Sequence, residues 1–244
     1  MDQAAFAVEA AVEEEHWWFR GRRMLFASEI RLLGIAPSAR VLDVGTGTGA
    51  NLRMLRDNGF RNVTGTDASP EAVKYCAAKG LGEVQLGDIV SLPFAGGHFD
   101  LVLATDVIEH VDDDRGALAE LYRVLAPGGH LLLTVPAFPS LWGLQDEVAH
   151  HKRRYRMQGL RELVHSNGFA ILKSFHFNYL LFGPIWIARQ VLRVLKPRLA
   201  SENDVNSPGI NKVLTALFQF DVKWAPRLQM PFGVSILILA RKPA

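Results

Sequence analysis

Short apolar runs alternate with longer amphipathic stretches over most of the chain, and that rhythm gives the first structural reading. Arg40–Val44, Asn62–Asp67, Glu83–Asp88, Phe99–Ala104 and His130–Val135 read as five strands. The fourth is almost wholly apolar, as expected for a parallel strand covered on both faces. Phe169–Phe175 and Gly233–Ala240 read as two more. Helical periodicity is predicted over Phe6–Leu33, from Asn51, after the Ser69-Pro70-Glu71 start, and over Arg115–Leu125, Leu160–Gly168, Tyr179–Leu199 and Asn211–Trp224. Strand–helix alternation of this kind specifies an α/β chain with an open, mostly parallel sheet and ligands at the carboxyl ends of the strands. Past Pro136 the pattern changes, and Ala137 to Tyr155 is polar, aromatic and basic.

Composition changes this picture little. With 244 residues, 49% hydrophobic and 21% charged, the chain can bury a substantial core. A net charge of 27 − 25 = +2 gives no reason to expect a nucleic-acid partner. Cys76 is the only cysteine, which rules out an intrachain disulfide and any zinc site built from cysteines. Cys76 reads as a small apolar residue on a helix. The acidic start differs from a signal peptide, and no apolar run approaches the ~20 residues of a spanning helix, so a cytoplasmic protein is expected.

Chemistry enters at Arg40-Val41-Leu42-Asp43-Val44-Gly45-Thr46-Gly47-Thr48-Gly49-Ala50, a strand running into a glycine turn and then a helix. Glycines there allow positive φ and close approach of the backbone to a ligand. Gly45, Gly47 and Ala50 also fit the dinucleotide fingerprint, so the turn alone leaves NAD and other adenosine cofactors open. Asp67 ends the second strand about 20 residues on, where a carboxylate can take both hydroxyls of a ribose. Asp88 closes the third strand on the same edge as Asp43 and Asp67. Near the N-terminus, Glu13 to Arg23 packs three acids, three consecutive aromatics and three arginines. Two readings stay open: an amphipathic helix docked on the core, or a lid in which Trp17 or Trp18 covers apolar surface and Arg20 or Arg23 meets a carboxylate.

Four motifs in this order resemble the class I S-adenosylmethionine-dependent methyltransferases: Val41 to Gly49, Gly65-Thr66-Asp67-Ala68-Ser69, Gly87-Asp88-Ile89, and Leu125-Ala126-Pro127-Gly128-Gly129-His130-Leu131. The resemblance implies a Rossmann-like seven-stranded sheet, mostly parallel, with the last strand antiparallel. It implies that Asp43, Gly45 and Gly47 line S-adenosyl-L-methionine, that Asp67 with Ala68 binds the ribose, and that Asp88 with Ile89 meets the adenine. Thr105 would sit near the sulfonium. The expected organisation is a helical lid (1–35), a core (36–176 and 233–244) and a helical insert (177–232). This fold commonly uses such an insert as a substrate cap or dimer contact. Its cationic amphipathic helix could also rest on a membrane surface or pack on the core.

Asp106-Val107-Ile108-Glu109-His110, after strand four, is similar to the acidic-x-x-Glu-His element of metal-dependent O-methyltransferases acting on quinone precursors and small-RNA 3′ ends. Those enzymes carry glutamate where this chain has Asp106. The likeness implies Asp106, Glu109, His110 and His151 as ligands of Mg2+ or Mn2+. His110, His151 or its neighbour His150 could instead act directly as general base. The Glu15-His16-Trp17-Trp18-Phe19-Arg20 element, with the stretch His151 to Tyr155, looks like a subgroup of bacterial methyltransferases of glycan and lipid-linked saccharide metabolism. The expectation is methyl transfer to a hydroxyl of a small-molecule or saccharide acceptor. The competing readings are an NAD-dependent oxidoreductase, in which Asp88 would have no role, and an inactive cofactor-binding module.

Overall fold

The computed structural model describes residues 13–81, 83–195 and 208–244, and the side chains of 192–195 and 208 fall outside that description. In chain order the elements are α1 (Trp17–Leu32), β1 (Arg40–Val44), α2 (Ala50–Asp57), β2 (Asn62–Asp67), α3 (Pro70–Ala78), β3 (Val84–Leu86), β4 (Phe99–Thr105), α4 (Asp114–Val124), β5 (Leu125–Pro136), α5 (Leu144–Val148), α6 (Met157–Ser166), β6 (Ala170–Phe177), α7 (Phe182–Leu195), α8 (Pro208–Leu228) and β7 (Ser235–Arg241). They build one seven-stranded sheet in the order β3-β2-β1-β4-β5-β7-β6. β1 pairs in parallel with β2 and β4, and β7 runs antiparallel to both β5 and β6. The strand order reverses between β1 and β4, which places a crevice at their carboxyl ends.

Successive strand residues serve opposite faces, as the period of two requires. Leu42, Val44, Val102, Ala104, Leu131 and Leu133 join one buried cluster with Leu118 and Leu121 of α4 and Leu160 of α6. Val41, Leu101, Leu103, Leu132 and Leu237 join the other, with Phe26 of α1, Leu52 and Leu55 of α2 and Phe218 of α8. Both faces are covered, so the central strands carry no polar alternation.

Within the described residues, the helix predicted over Phe6–Leu33 begins at Trp17. Residues 6–12 of that prediction lie outside the described residues, and 13–15 form a turn. His16 ends the turn by accepting the N–H of Trp18 as an N-cap. α1 then packs against α8: Trp18 stacks on Phe218 with rings 5.3 Å apart, and Asn211 accepts the N–H of Trp17. Gly21 makes this possible, since a Cβ there would lie 2.1 Å from the Phe218 ring. The insert resolves into α7 and α8, and the prediction for 196–199 lies outside the described residues. α8 continues two residues past Pro226, the position expected to end it. A proline so near the terminus removes only one hydrogen bond of the last turn.

Candidate active site

The glycine turn is shaped by close packing. Gly45, Gly47 and Gly49 all have positive φ, and a Cβ on Gly45 would lie 2.4 Å from Cγ2 of Val107. The Gly45 and Thr46 amides donate to the Thr66 carbonyl, while the Gly47 amide donates to Oδ2 of Asp67 at 2.8 Å. The other oxygen of Asp67 accepts the Ser69 N–H at 2.9 Å. Asp67 therefore fixes the glycine loop from the end of β2. Asp43 sits fully buried behind the turn, accepting from Thr46 at 2.9 Å and from Asn51 at 3.2 Å. Burial pushes its carboxyl up to about 7 in spite of those two bonds. Asp88 accepts the Val90 N–H at 3.1 Å.

β4 delivers Thr105 and then Asp106, whose φ of 57° is unusual for a residue with a side chain. Asp106 is tied down by an ion pair with Arg22 of α1 at 2.7 Å and by the Thr134 hydroxyl at 3.3 Å. A single 3-10 turn, Ile108–His110, follows. Glu109 is completely buried and neither of its oxygens has a hydrogen-bond partner. Burial, then the neighbouring Asp106 charge, raises its carboxyl well above the ordinary range. Burial and His151 push His110 down to about 4. The rings of His110 and His151 meet edge to face, with centroids 4.8 Å apart.

His151 is held from behind. Its Nδ1 lies 2.8 Å from Oδ1 of Asp146, leaving Nε2 4.0 Å from Oε1 of Glu109. Asp146 is itself buried, with Nε of Arg154 at 2.7 Å and Arg189 at 3.6 Å. Burial would raise its carboxyl, but the His151 hydrogen bond and the Arg154 charge outweigh that and hold it at about 2.

One cavity of about 950 Å³ joins these two halves. Gly45, Gly47, Asp67, Ala68, Asp88, Ile89 and Thr105 line it, as do Asp106, His110 and His151. Three residues singled out in the sequence do not reach it. Asp43 stays behind the glycine turn, Glu109 faces the protein interior beside His151, and His150 is exposed outside the cavity. His150 takes a left-handed backbone at φ 57°, which separates its direction from that of His151. The proposed four-ligand set also divides: one donor atom each from Glu109, His110 and His151 lies within 4.8 Å of the others, while Asp106 is engaged by Arg22.

Of the two readings of the N-terminal element, docking on the core is what the helix shows. Trp17 and Trp18 pack on the core and also line the cavity, but the arginine that meets a carboxylate is Arg22, neither Arg20 nor Arg23. Arg23 donates instead to the Glu13 carbonyl at 2.7 Å. Sequence reasoning also missed Asp146, Arg154 and Asn178. Asn178 is buried with both amide atoms unpaired on the cavity wall, at φ 58°, a conformation asparagine tolerates better than most residues.

The profile of a family described as "Methyltransferase domain" matches residues 42–133, the stretch carrying the glycine turn, Asp67, Asp88 and the Asp106–His110 element. That stretch, and not the whole chain, carries the likeness to methyltransferase domains. Malonyl-[acyl-carrier protein] O-methyltransferase of Enterobacter lignolyticus is 37% identical over 122 residues, 47% of this chain and 48% of that protein. The chain thus spans about half the length of the curated relatives it matches. Among solved structures, a methyltransferase in complex with the Haloferax volcanii activator Trm112 superposes with a TM-score of 0.64 at 21% identity, over 99% of this chain and 95% of that one. Phosphoethanolamine N-methyltransferase 2 of Haemonchus contortus, solved with S-adenosyl-L-methionine, gives 0.58 at 18% identity, over 86% and 50% of the two chains. At these identities the structural matches speak for the fold alone.

Proposed function

We propose that the chain is an O-methyltransferase moving the methyl of S-adenosylmethionine to a hydroxyl of a small-molecule or saccharide acceptor. The observation that carries this reading is the single cavity joining the Gly45–Asp67–Asp88 end to the His110–His151 end. Asp67 would accept the ribose hydroxyls and Asp88 with Ile89 would flank the adenine. Thr105, at the junction, would lie beside the sulfonium. The sulfonium is already activated, so catalysis is chiefly alignment of acceptor oxygen, methyl and sulfur. Trp17 and Trp18 would exclude water from the shared cavity.

The proton of the acceptor hydroxyl needs a destination. Asp146 orients His151 through Nδ1, which leaves Nε2 free to accept that proton. His110, neutral at pH 7 because its pKa is held at about 4, would line the same wall without adding charge. The orphaned oxygens of Glu109 and the two imidazoles also fit a divalent cation, with Asp146 behind His151 in the manner of an outer-shell carboxylate. Two imidazoles and one carboxylate suit manganese or zinc better than magnesium. Bound there, such an ion would lower the pKa of the acceptor hydroxyl.

A carboxylate acceptor is a second reading, favoured by Arg22, Arg154 and Arg189 on the cavity wall and by the likeness to malonyl-[acyl-carrier protein] O-methyltransferase. Labelled-methyl transfer to a panel of saccharides, phenols and acids, repeated with EDTA and with added metal, tests both. Transfer to hydroxyls that survives in His151→Ala would overturn the assignment of His151. Transfer to acids alone would replace the hydroxyl reading.

A further inference from the structure

α8 is apolar on two sides. Phe218, Val222 and Ala225 are buried against the core and α1. Away from them Ile210, Val213, Leu217, Phe220, Trp224 and Leu228 are all exposed, Val213 at 61% and Phe220 at 54%. Their spacing of three or four residues sets them in one stripe along the helix. The charged residues exposed beside it are Lys212, Lys223 and Arg227, all cations, and at 100° per residue they fall in a neighbouring row. The one acid in α8, Asp221, is buried and consumed by the N–H groups of Asn178 and Leu180. On α7 the exposed side chains Trp186, Ile187 and Val191 are again apolar, and the sequence from Pro184 to Ala200 contains no Asp or Glu. A helix whose solvent side is apolar and otherwise purely cationic is not built for water.

We infer that the exposed α7–α8 surface rests on an anionic lipid bilayer. Aromatic and aliphatic side chains beside lysine and arginine are the pattern of helices that lie in a membrane interface. The cations choose among occupants. A second copy of the chain, docked face to face about a two-fold axis, would set Lys212, Lys223 and Arg227 against their own copies. Anionic headgroups complement the same row. No described helix is long and apolar enough to cross a membrane, so the contact is with a surface. The location gives the contact a purpose: Ile185 of α7 and Ile210 and Leu214 of α8 line the cavity, and Ile210 is also 47% exposed. On the methyltransferase reading above, the cavity would open toward the bilayer, where a lipid-borne acceptor can reach His151.

Vesicle flotation with the full chain tests this, using phosphatidylcholine alone and phosphatidylcholine mixed with phosphatidylglycerol. The expected result is binding to the mixed vesicles roughly tenfold or more tighter than to the neutral ones, weakening as salt is raised. Phe220→Glu with Trp224→Glu should abolish it. Lys212→Gln, Lys223→Gln and Arg227→Gln together touch no buried group and should reduce binding to the neutral-vesicle level. That triple variant decides the matter if the double one does not fold. Equal binding to both vesicle types, or none, overturns the inference, as does wild-type binding in the charge variant. So does a dimer in light scattering that Phe220→Glu with Trp224→Glu dissociates while vesicles stay unbound. S-adenosylhomocysteine binding, measured on each variant, reports on the methyltransferase reading separately, because none of the substituted residues lines the cavity.

Discussion

Replacing Asp146 by asparagine removes the charge from the buried hub behind His151 while keeping its shape. The carboxylate lies 2.7 Å from Nε of Arg154, 2.8 Å from Nδ1 of His151 and 2.8 Å from the Gly143 N–H. Removing one member of a buried ion pair costs roughly 3–5 kcal/mol. The amide oxygen can still accept one of these bonds, so the lower end, about 3 kcal/mol, is expected. For a chain of this size that lowers Tm by roughly 6–12 °C. The pH dependence gives an internal check. The folded carboxyl is held at about 2 against an ordinary 3.8, so its stabilisation is present above 3.8 and is lost as pH falls through about 2. The gap between wild type and variant should therefore narrow in acid. Urea denaturation from pH 7 down to 3 measures it, with S-adenosylhomocysteine affinity as control because Asp146 does not line the cavity. An equally stable variant at pH 7 would refute the ion-pair reasoning, and a parallel loss of cofactor affinity would show that the site itself had collapsed.

Other residues make independent predictions. On the proposed ribose role, Asp67→Ala should weaken S-adenosylhomocysteine binding roughly a hundredfold by calorimetry, since the ribose would lose its carboxylate partner and the Gly47 amide is freed. Gly45→Ala places a Cβ 2.4 Å from Val107 in a backbone at φ 70°, so urea midpoints should report a loss of roughly 2–4 kcal/mol. Asp43 has its folded carboxyl raised to about 7 from 3.8, so the folded state holds the extra proton and stability falls as pH rises through that window. Asp43→Asn should lose that slope, which thermal melts from pH 4 to 8 would show.

The sheet was legible from sequence because each central strand is a short apolar run bounded by a turn signal. β3, with only three residues, and β6, extended to Phe177, show where the boundaries slip. That the glycines, Asp67 and Asp88 line one end of the cavity was legible for a local reason: each lies at or just past a strand end, and the fold brings those ends together. The other end was legible only in part. Glu109 and His110 are neighbours in the chain, but what organises them comes from afar, Asp146 and Arg154 from the polar stretch after β5 and Arg22 from α1. A carboxylate that reads as a ligand, Asp106, is diverted by an arginine more than eighty positions away, and no spacing rule announces such a contact. Asn178 is invisible for a similar reason: its backbone N–H is held by Asp221, 43 positions away on α8, while its side-chain amide is left unpaired.

The claim that the cavity is an S-adenosylmethionine site is tested most directly by calorimetry with S-adenosylhomocysteine and with NAD on the same preparation. One molecule of S-adenosylhomocysteine should bind per chain, roughly a hundredfold more weakly in the Asp67→Ala variant, with no heat from NAD. Binding of NAD without S-adenosylhomocysteine would contradict it.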